Sequence, residues 1–506
     1  IALAEADPNA PLFLNVDGDT SRATLLADAE ALSAALHDLG LRIGDVISFQ
    51  TPNWLEAAAI NLAAALSGLI VNPIVPIYRD AEVRQMLADC RAKAFFVASS
   101  FRKFDYAAMA ARLAPDLPDL KHIIVVRGAH EGAHSYDTLI ASARGKAFAR
   151  PKVDQHAVKL LLYTSGTTGK PKAVLHNHNT LDFVMHRSGA HWGIAPGDAM
   201  IMPSPVTHIS GYSNGLEAPF ILETRTVLME SWNAEEAVRL IEAHDVVGTV
   251  AATPFLTELS QVARAQGKEL PNLRFFACGG AAVPPDVIPD ANAAFARCHA
   301  FRVFGASEVP LVTYGWPGAA DAHLAATTDG QIIDYDVRIV DEAGTPVPPG
   351  ADGEILARGP AMFMGYADAA QTAEAITPDG YFHTGDIGCV SADGALTING
   401  RKKDLIIRGG ENISAKEIED VLVTHADVRE AAVVAMPHVR LGEGVCAYII
   451  GAATAEALTA HVAASGLAKQ KIPERFEFVE DFPRTASGKI RKDMLRAEIK
   501  ARLGQS

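Results

Sequence analysis

Cysteine is sparse. Cys90, Cys278, Cys298, Cys389 and Cys446 lie far apart, with no C-x-x-C pair among them. That spacing argues against a disulfide scaffold or a zinc framework and implies reduced, mostly buried thiols of a cytoplasmic protein. No run reaches 18 apolar residues, so no membrane-spanning helix is expected. No cationic start precedes an apolar stretch, and the chain opens at Ile1 without a methionine, so further residues are expected ahead of it. Positive charge is in deficit: the net charge is −15, which argues against nucleic acid or an anionic membrane as partner. Local lysines can still hold an anionic cofactor. No internal repeat or low-complexity tract stands out. What remains is an ordinary globular composition, 49% hydrophobic and 21% charged over 506 residues. That length is enough for two or more domains.

Residues 22–39 place Leu25, Ala29, Leu32, Leu36 and Leu39 on one helical face, closed by Gly40. A strand is expected at 45–49, a helix at 54–66, a strand near 70–75, a helix at 81–92 and strands at 94–98 and 122–126. A polar connection follows. The rhythm resumes with a helix at 234–244, a strand at 246–251, a helix at 254–265 and strands at 273–278 and 301–304. Strands alternating with helices of this length imply βαβ units and a largely parallel sheet. From about 329 to 400 the texture changes to short alternating runs split by Gly, Pro and Asp, which predicts a small antiparallel β unit. A compact α+β tail follows, with helices at 415–423 and 455–465, strands at 430–435 and 445–450, and a basic terminal helix.

The most informative stretch begins with an apolar run, 158–163, that reads as a buried strand. It enters Thr164-Ser165-Gly166-Thr167-Thr168-Gly169-Lys170-Pro171-Lys172. Glycines admit close approach of an anion, hydroxyls and main-chain N–H groups donate to phosphate oxygens, and lysine supplies compact positive charge. This is phosphate-handling chemistry without a Walker A loop. Gly166 and Gly169 are separated by two residues, and Pro171 stands where that loop needs Ser or Thr.

The stretch resembles the signature loop of the adenylate-forming enzymes, a superfamily of acyl-CoA synthetases, adenylation domains and luciferases. Six further signatures follow in order, so that the set spans 163 to 490. Thr207-His208-Ile209-Ser210-Gly211 is similar to the segment that sets an aromatic or His beside the acyl carboxylate. Cys278-Gly279-Gly280-Ala281-Ala282 is similar to the adenine wall, with Val283 where proline is common; the resemblance gives Gly280 and Ala281 that role. Phe304-Gly305-Ala306-Ser307-Glu308 resembles Tyr-Gly-x-Thr-Glu. Phe304 keeps the stacking face, Gly305 and Ser307 meet the nucleotide, and Glu308 is a hard oxygen donor for Mg²⁺. Arg302 and Val303 stand where Gln-Gly is often found. In Tyr381-Phe382-His383-Thr384-Gly385-Asp386 the aspartate would accept both ribose hydroxyls, with Arg401 reaching the same region and Lys403 at the hinge. Arg408-Gly409-Gly410-Glu411-Asn412 would admit the pantetheine arm of CoA at Gly409 and Gly410 and contact the nucleotide through Asn412. In Pro483-Arg484-Thr485-Ala486-Ser487-Gly488-Lys489, Lys489 matches the catalytic lysine.

The resemblance implies an α/β fold with a large N-terminal domain of βαβ units (1–400, its β-rich subdomain at about 329–400). A hinge at 401–403 would join it to a small mobile α+β C-terminal domain (404–506). It also implies an ATP-dependent carboxylate–CoA ligase. A carboxylic acid would be adenylated to acyl-AMP and pyrophosphate, then passed to CoA with release of AMP. Lys489, Glu308 and His208 would be catalytic. Thr164, Ser165, Gly166, Thr167, Thr168, Gly169 and Lys172 would hold phosphates. His208, Ile209, Tyr212, Ala306 and Val309, with residues near Trp192, would line a modest apolar acyl pocket. That region resembles ligases for cyclohexanecarboxylate and medium-chain acids, so a medium-chain, alicyclic or aryl acid is expected; a homodimer is left open. Loading of a carrier protein is the alternative within the family, although Val206-Thr207-His208 lacks the Asp usual in amino-acid-activating members. A nucleotide-hydrolysing switch is the alternative from another class.

Overall fold

Two sheets dominated by parallel strands form the large body of the protein. The computed structural model describes every residue except 15–17, 165–170, 281–282, 285, 410, 486–487 and 505–506, and the side chain of Asn412. Among the described residues one sheet has eight strands, with Val158–Thr164, Ile70–Pro73, Val46–Gln50, Ala94–Ala98 and His122–Val126 adjacent and parallel. The second has seven, with His299–Val303, Phe275–Gly279, Val246–Ala251, Ala199–Met202 and Arg225–Leu228 running side by side. Ala94–Ala98 is buried at all five positions, as expected of a strand covered on both faces. The helix Arg22–Asp38 buries the anticipated stripe of Leu25, Ala29, Leu32 and Leu36; Ser21 caps it by accepting from the Thr24 N–H at 3.2 Å.

Two elements lie beyond the sequence reading. The polar connection after Val126 contains a helix, Tyr136–Ala143, whose buried Tyr136, Ile140 and Ala143 recur at helical spacing. The second is a strand beyond the loop that Val158–Thr164 enters. The chain returns antiparallel as Lys172–Asn177, pairing Thr164 with Lys172, and only then enters the helix His178–Trp192. Asn177 caps that helix through the Thr180 N–H at 2.9 Å. The missing Pro171 N–H costs nothing here, because that residue lies just outside the strand.

Strands Asp336–Val340, Gly353–Arg358, Phe382–Val390 and Leu396–Arg401 form the expected antiparallel unit. Its tie to the second sheet is a buried ion pair. Arg302 Nη2 and Nε lie 2.7 and 3.0 Å from Asp329 Oδ1, and Asp329 Oδ2 accepts from the Ile398 N–H at 2.8 Å. Thr313 donates to the Asp329 carbonyl and accepts from the Phe304 N–H, so the same cluster fixes the exit of strand His299–Val303.

After residue 404 a smaller sheet pairs Val428–His438 with Gly442–Gly451, and Arg475–Phe478 joins it in parallel. Strand alternation gives it two cores. Val433, Val445, Ala447 and Ile449 pack under helices Ala415–Leu422 and Ala455–Ala464. Val434, Cys446 and Tyr448 pack under Lys492–Arg502 on the other face. Ser414 Oγ donates to the Asn399 carbonyl at 2.5 Å, and Arg496 pairs with Asp404 at 2.7 Å, across the junction with the preceding sheet.

Asp329→Ala leaves Arg302 buried without its partner and orphans the Ile398 N–H, which should cost about 3–5 kcal/mol. Thermal unfolding should show an earlier transition; a curve that superposes on the wild type would show that the tie is not needed.

Candidate active site

The antiparallel register of Phe382–Val390 and Leu396–Arg401 sets Asp386 directly opposite Arg401. Arg401 Nε lies 3.1 Å from Asp386 Oδ1. Asp386 is buried, and the loss of water pushes its carboxyl above the usual carboxylate range; Arg401, Lys489 and Lys403 pull it back. Thr384 anchors the turn, donating to the Ile355 carbonyl at 2.8 Å and accepting from the Asp386 N–H at 3.1 Å.

Phe304 leaves the strand His299–Val303, and the chain doubles back at once. Val309 N–H donates to the Ala306 carbonyl at 3.2 Å, and Ala306 N–H to the Val309 carbonyl at 2.9 Å. A side chain on Gly305 would stand 2.2 Å from the Pro310 carbonyl oxygen, so only glycine fits. Glu308 ends up buried, and the Tyr366 hydroxyl donates to its Oε1 at 2.7 Å. Burial raises the Glu308 carboxyl; Tyr366, Lys172 and Arg401 oppose the rise. The Lys172 ammonium lies 5.0 Å from the Tyr366 ring centre, which brings the first sheet to the same carboxylate.

His176, fully buried on Lys172–Asn177, places Nε2 2.7 Å from the Ser307 carbonyl and Nδ1 3.1 Å from Thr180 Oγ1. Burial holds it at about 4, so it joins the first sheet to the Ser307 turn as a neutral group. Neither His176 nor Tyr366 was singled out from the sequence. Tyr366 ends an aromatic run, Phe363-Met364-Gly365-Tyr366, and that run was the available signal.

Lys489 arrives from the far end of the chain on a tight turn. Thr485 N–H donates to the Lys489 carbonyl at 2.7 Å, Lys489 N–H donates to Thr485 Oγ1 at 3.1 Å, and Arg484 ties the turn to Glu430 at 2.6 Å. Its ammonium is pushed down to about 8 by burial, with Arg401 acting the same way and Asp386 and Glu308 opposing. His208 feels Lys489 as well. Burial first, and that cation second, hold its imidazole at about 4, and its buried Nε2 has no hydrogen-bond partner among the described residues. The structure thus brings Lys489, Asp386, Glu308, Arg401 and His208 into one electrostatic cluster.

Ile209 and Ala306 are half-buried near this cluster, whereas Tyr212 and Val309 are fully buried. Trp192 packs its ring on Phe275 and Phe301 and donates its N–H to the Tyr314 carbonyl at 2.8 Å, a core role rather than a pocket wall. Arg302, unlike the Gln often found there, is taken up by Asp329. Gly280 adopts φ +79 at the end of Phe275–Gly279. Gly409 adopts φ +61 at the tip of the hairpin Ile406–Ile413, and its N–H donates to the Leu441 carbonyl at 2.9 Å. Ser165, Gly166, Thr167, Thr168, Gly169, Ala281, Gly410 and the Asn412 side chain lie outside the described residues.

The family model for AMP-binding enzymes matches residues 2–367, and that for the AMP-binding enzyme C-terminal domain matches residues 417–489. The chain is 35% identical to the medium-chain fatty-acid–CoA ligase of Escherichia coli (strain K12), over 92% of this chain and 83% of that one. It is 32% identical to a salicylyl-CoA synthase / salicylate adenylyltransferase of a Streptomyces species, over 96% and 91%. Among solved structures, ATP-bound MatB from Rhodopseudomonas palustris matches with a TM-score of 0.87 at 27% identity, covering 98% of each chain. The chain therefore belongs to the AMP-binding family of adenylate-forming enzymes.

Proposed function

We propose that this protein is an AMP-forming carboxylate–CoA ligase. A carboxylate attacks the α-phosphate of ATP, giving acyl-AMP and pyrophosphate, and the CoA thiolate then displaces AMP. The observation that carries this reading is the convergence of Lys489, His208, Asp386, Arg401 and Glu308, brought from separate elements of the chain into mutual electrostatic reach. Two anions must meet in the first step, so catalysis is mostly positioning and neutralisation of developing charge. Lys489 is a compact point charge suited to bridge the attacking carboxylate and the α-phosphate. His208, uncharged at neutral pH and with a buried nitrogen that has no partner among the described residues, faces the acid without adding a competing charge. Thr164, the loop 165–169 and Lys172 take the phosphates, Phe304, Gly305, Ser307, Gly280 and Ala281 the adenine and α-phosphate, and Asp386 with Arg401 the ribose.

Glu308 suits Mg²⁺. Its buried carboxylate accepts from neutral donors, the Tyr366 hydroxyl and its own backbone N–H, and no cation is bonded to it among the described residues, so it could hold a hard cation that would take its other ligands from ATP phosphates and water. Mg²⁺ would supply charge neutralisation between the phosphates. For the second step, the unit after a hinge at 401–403 turns about Lys403, withdraws Lys489 and brings Gly409, Gly410 and Asn412 to the adenylate. A medium-chain, alicyclic or aryl acid suits the apolar Ile209 and Ala306, and the two relatives are named for a medium-chain and an aryl acid. Five free cysteines, four of them buried, support a reducing, cytoplasmic setting. Among the described residues no helix is long and apolar enough to cross a membrane.

Incubation with MgATP, CoA and a mixture of short, medium-chain, alicyclic and aryl acids, read by mass spectrometry, should give one or a few acyl-CoA species together with AMP. Acyl-AMP without thioester would move the acceptor to a carrier protein, and ADP would contradict the reading.

Lys489 acts as a cation, so the protonated form below its pKa is the active one, and activity is lost as pH rises through about 8. The kcat/KM for acid-dependent pyrophosphate release should fall on that alkaline limb. In Lys489→Arg the residual activity should hold through about pH 10, because a guanidinium stays charged. An unchanged limb in that variant would assign the titration to another group.

A further inference from the structure

Behind the segment that carries His208, four buried polar side chains form a chain that the adenylation chemistry does not use. The Tyr212 hydroxyl donates to Asn61 Oδ1 at 2.5 Å, the Asn61 amide donates to Glu217 Oε1 at 2.7 Å, and the Lys159 ammonium donates to Glu217 Oε2 at 2.5 Å. Lys159 is 7% exposed and Glu217 4%. A buried ion pair is weak evidence for stability, since apolar side chains of similar volume commonly do as well or better. A role beyond stability is therefore worth seeking.

The backbone supplies one. Residues Tyr212–Glu217 form a π-helical turn, all six buried, between the α-helical turn Ile209–Gly211 and the helix Ala218–Ile221. Such turns are rare and gather at functional sites. Tyr212 and Glu217 are five residues apart. In an α-helix of 3.6 residues per turn they would diverge by about 140°. An i→i+5 turn brings them back to one side. Both are bonded to the same Asn61, from the helix Leu55–Ser67. The Asn61 amide thus matches the π form, and a return to α-helical register would break one of its two bonds. Lys159 adds a second anchor from the strand Val158–Thr164, which runs into the phosphate loop.

We propose that Asn61, Glu217 and Lys159 are positioning residues that determine acid specificity. They hold the π-turn, and through it the placement of His208 and Ile209 against the acid. The inference rests on the reading above that His208 and Ile209 face the acid.

The test uses the full chain with an acid series of graded size, measuring thermal stability and the KM values for acid and ATP in pyrophosphate release. The double variant Lys159→Met/Glu217→Leu removes both charges at similar volume. It leaves the buried Asn61 amide without its acceptor, so it should melt somewhat below the wild type, yet keep its ATP KM within twofold, while its acid KM rises at least tenfold and its ranking of acids changes. A folded double variant with wild-type acid KM and ranking would overturn the proposal. Tyr212→Phe removes only the hydroxyl at the end of the chain and covers the case in which the double variant does not fold. A threefold or greater rise in acid KM at constant ATP KM supports the proposal, and no change in either overturns it. Ile209→Trp separates the two levels of inference. If it leaves the acid KM untouched, the acyl pocket lies elsewhere, and the placement falls together with the inference built on it.

Discussion

Two buried carboxylates, Glu308 and Asp386, have to stay ionised where water is scarce, and the rest of the site depends on how that is managed. Burial pushes both upward, so each needs cations nearby. Arg401 serves both, Lys172 leans on the first, and Lys489 is drawn toward the pair although burial lowers its own pKa. None of the three cations is fully hidden, which leaves capacity to receive an anionic nucleotide. A site balanced in this way favours a ligand that brings negative charge, and a triphosphate brings a great deal.

Each sheet delivers one part of that balance. The first contributes Lys172 and, through His176, grips the Ser307 carbonyl. The second ends in the Phe304–Val309 turn, which is narrow enough to exclude any side chain at Gly305. The antiparallel unit sets Asp386 against Arg401 by strand register alone, and Arg302 with Asp329 fixes that unit to the second sheet. Lys489 comes from the smaller C-terminal sheet, on a turn tied down by Arg484 and Glu430. The cluster is therefore complete only in one arrangement of the C-terminal part relative to the rest, which is the condition a two-step ligase needs if one lysine is to serve one step.

Much of this was legible in the chain itself. The signatures around Thr164, Phe304, Asp386, Arg401 and Lys489 are contiguous because phosphate, purine and ribose each demand several groups from one turn, so the chemistry is written locally. The βαβ rhythm was equally plain, since strands covered on both faces, such as Ala94–Ala98, read as unbroken apolar runs. What stayed hidden acts across long separations. His176 meets Ser307 131 residues away, Tyr366 meets Glu308 58 residues away, and Asn61 meets Glu217 156 residues away. A single His, Tyr or Asn carries no local mark of such a partner. The antiparallel return Lys172–Asn177 escaped the sequence reading because only Ala173, Val174 and Leu175 in it are apolar, too short a run to reveal a period.

The central claim is that Lys489 belongs to the first half-reaction and leaves the site for the second. Single-turnover measurement of both halves in Lys489→Ala tests it most directly. Adenylation from acid and ATP should fall by orders of magnitude, while thioester formation from supplied acyl-AMP and CoA should proceed at close to the wild-type rate. Equal loss of both half-reactions would contradict the account.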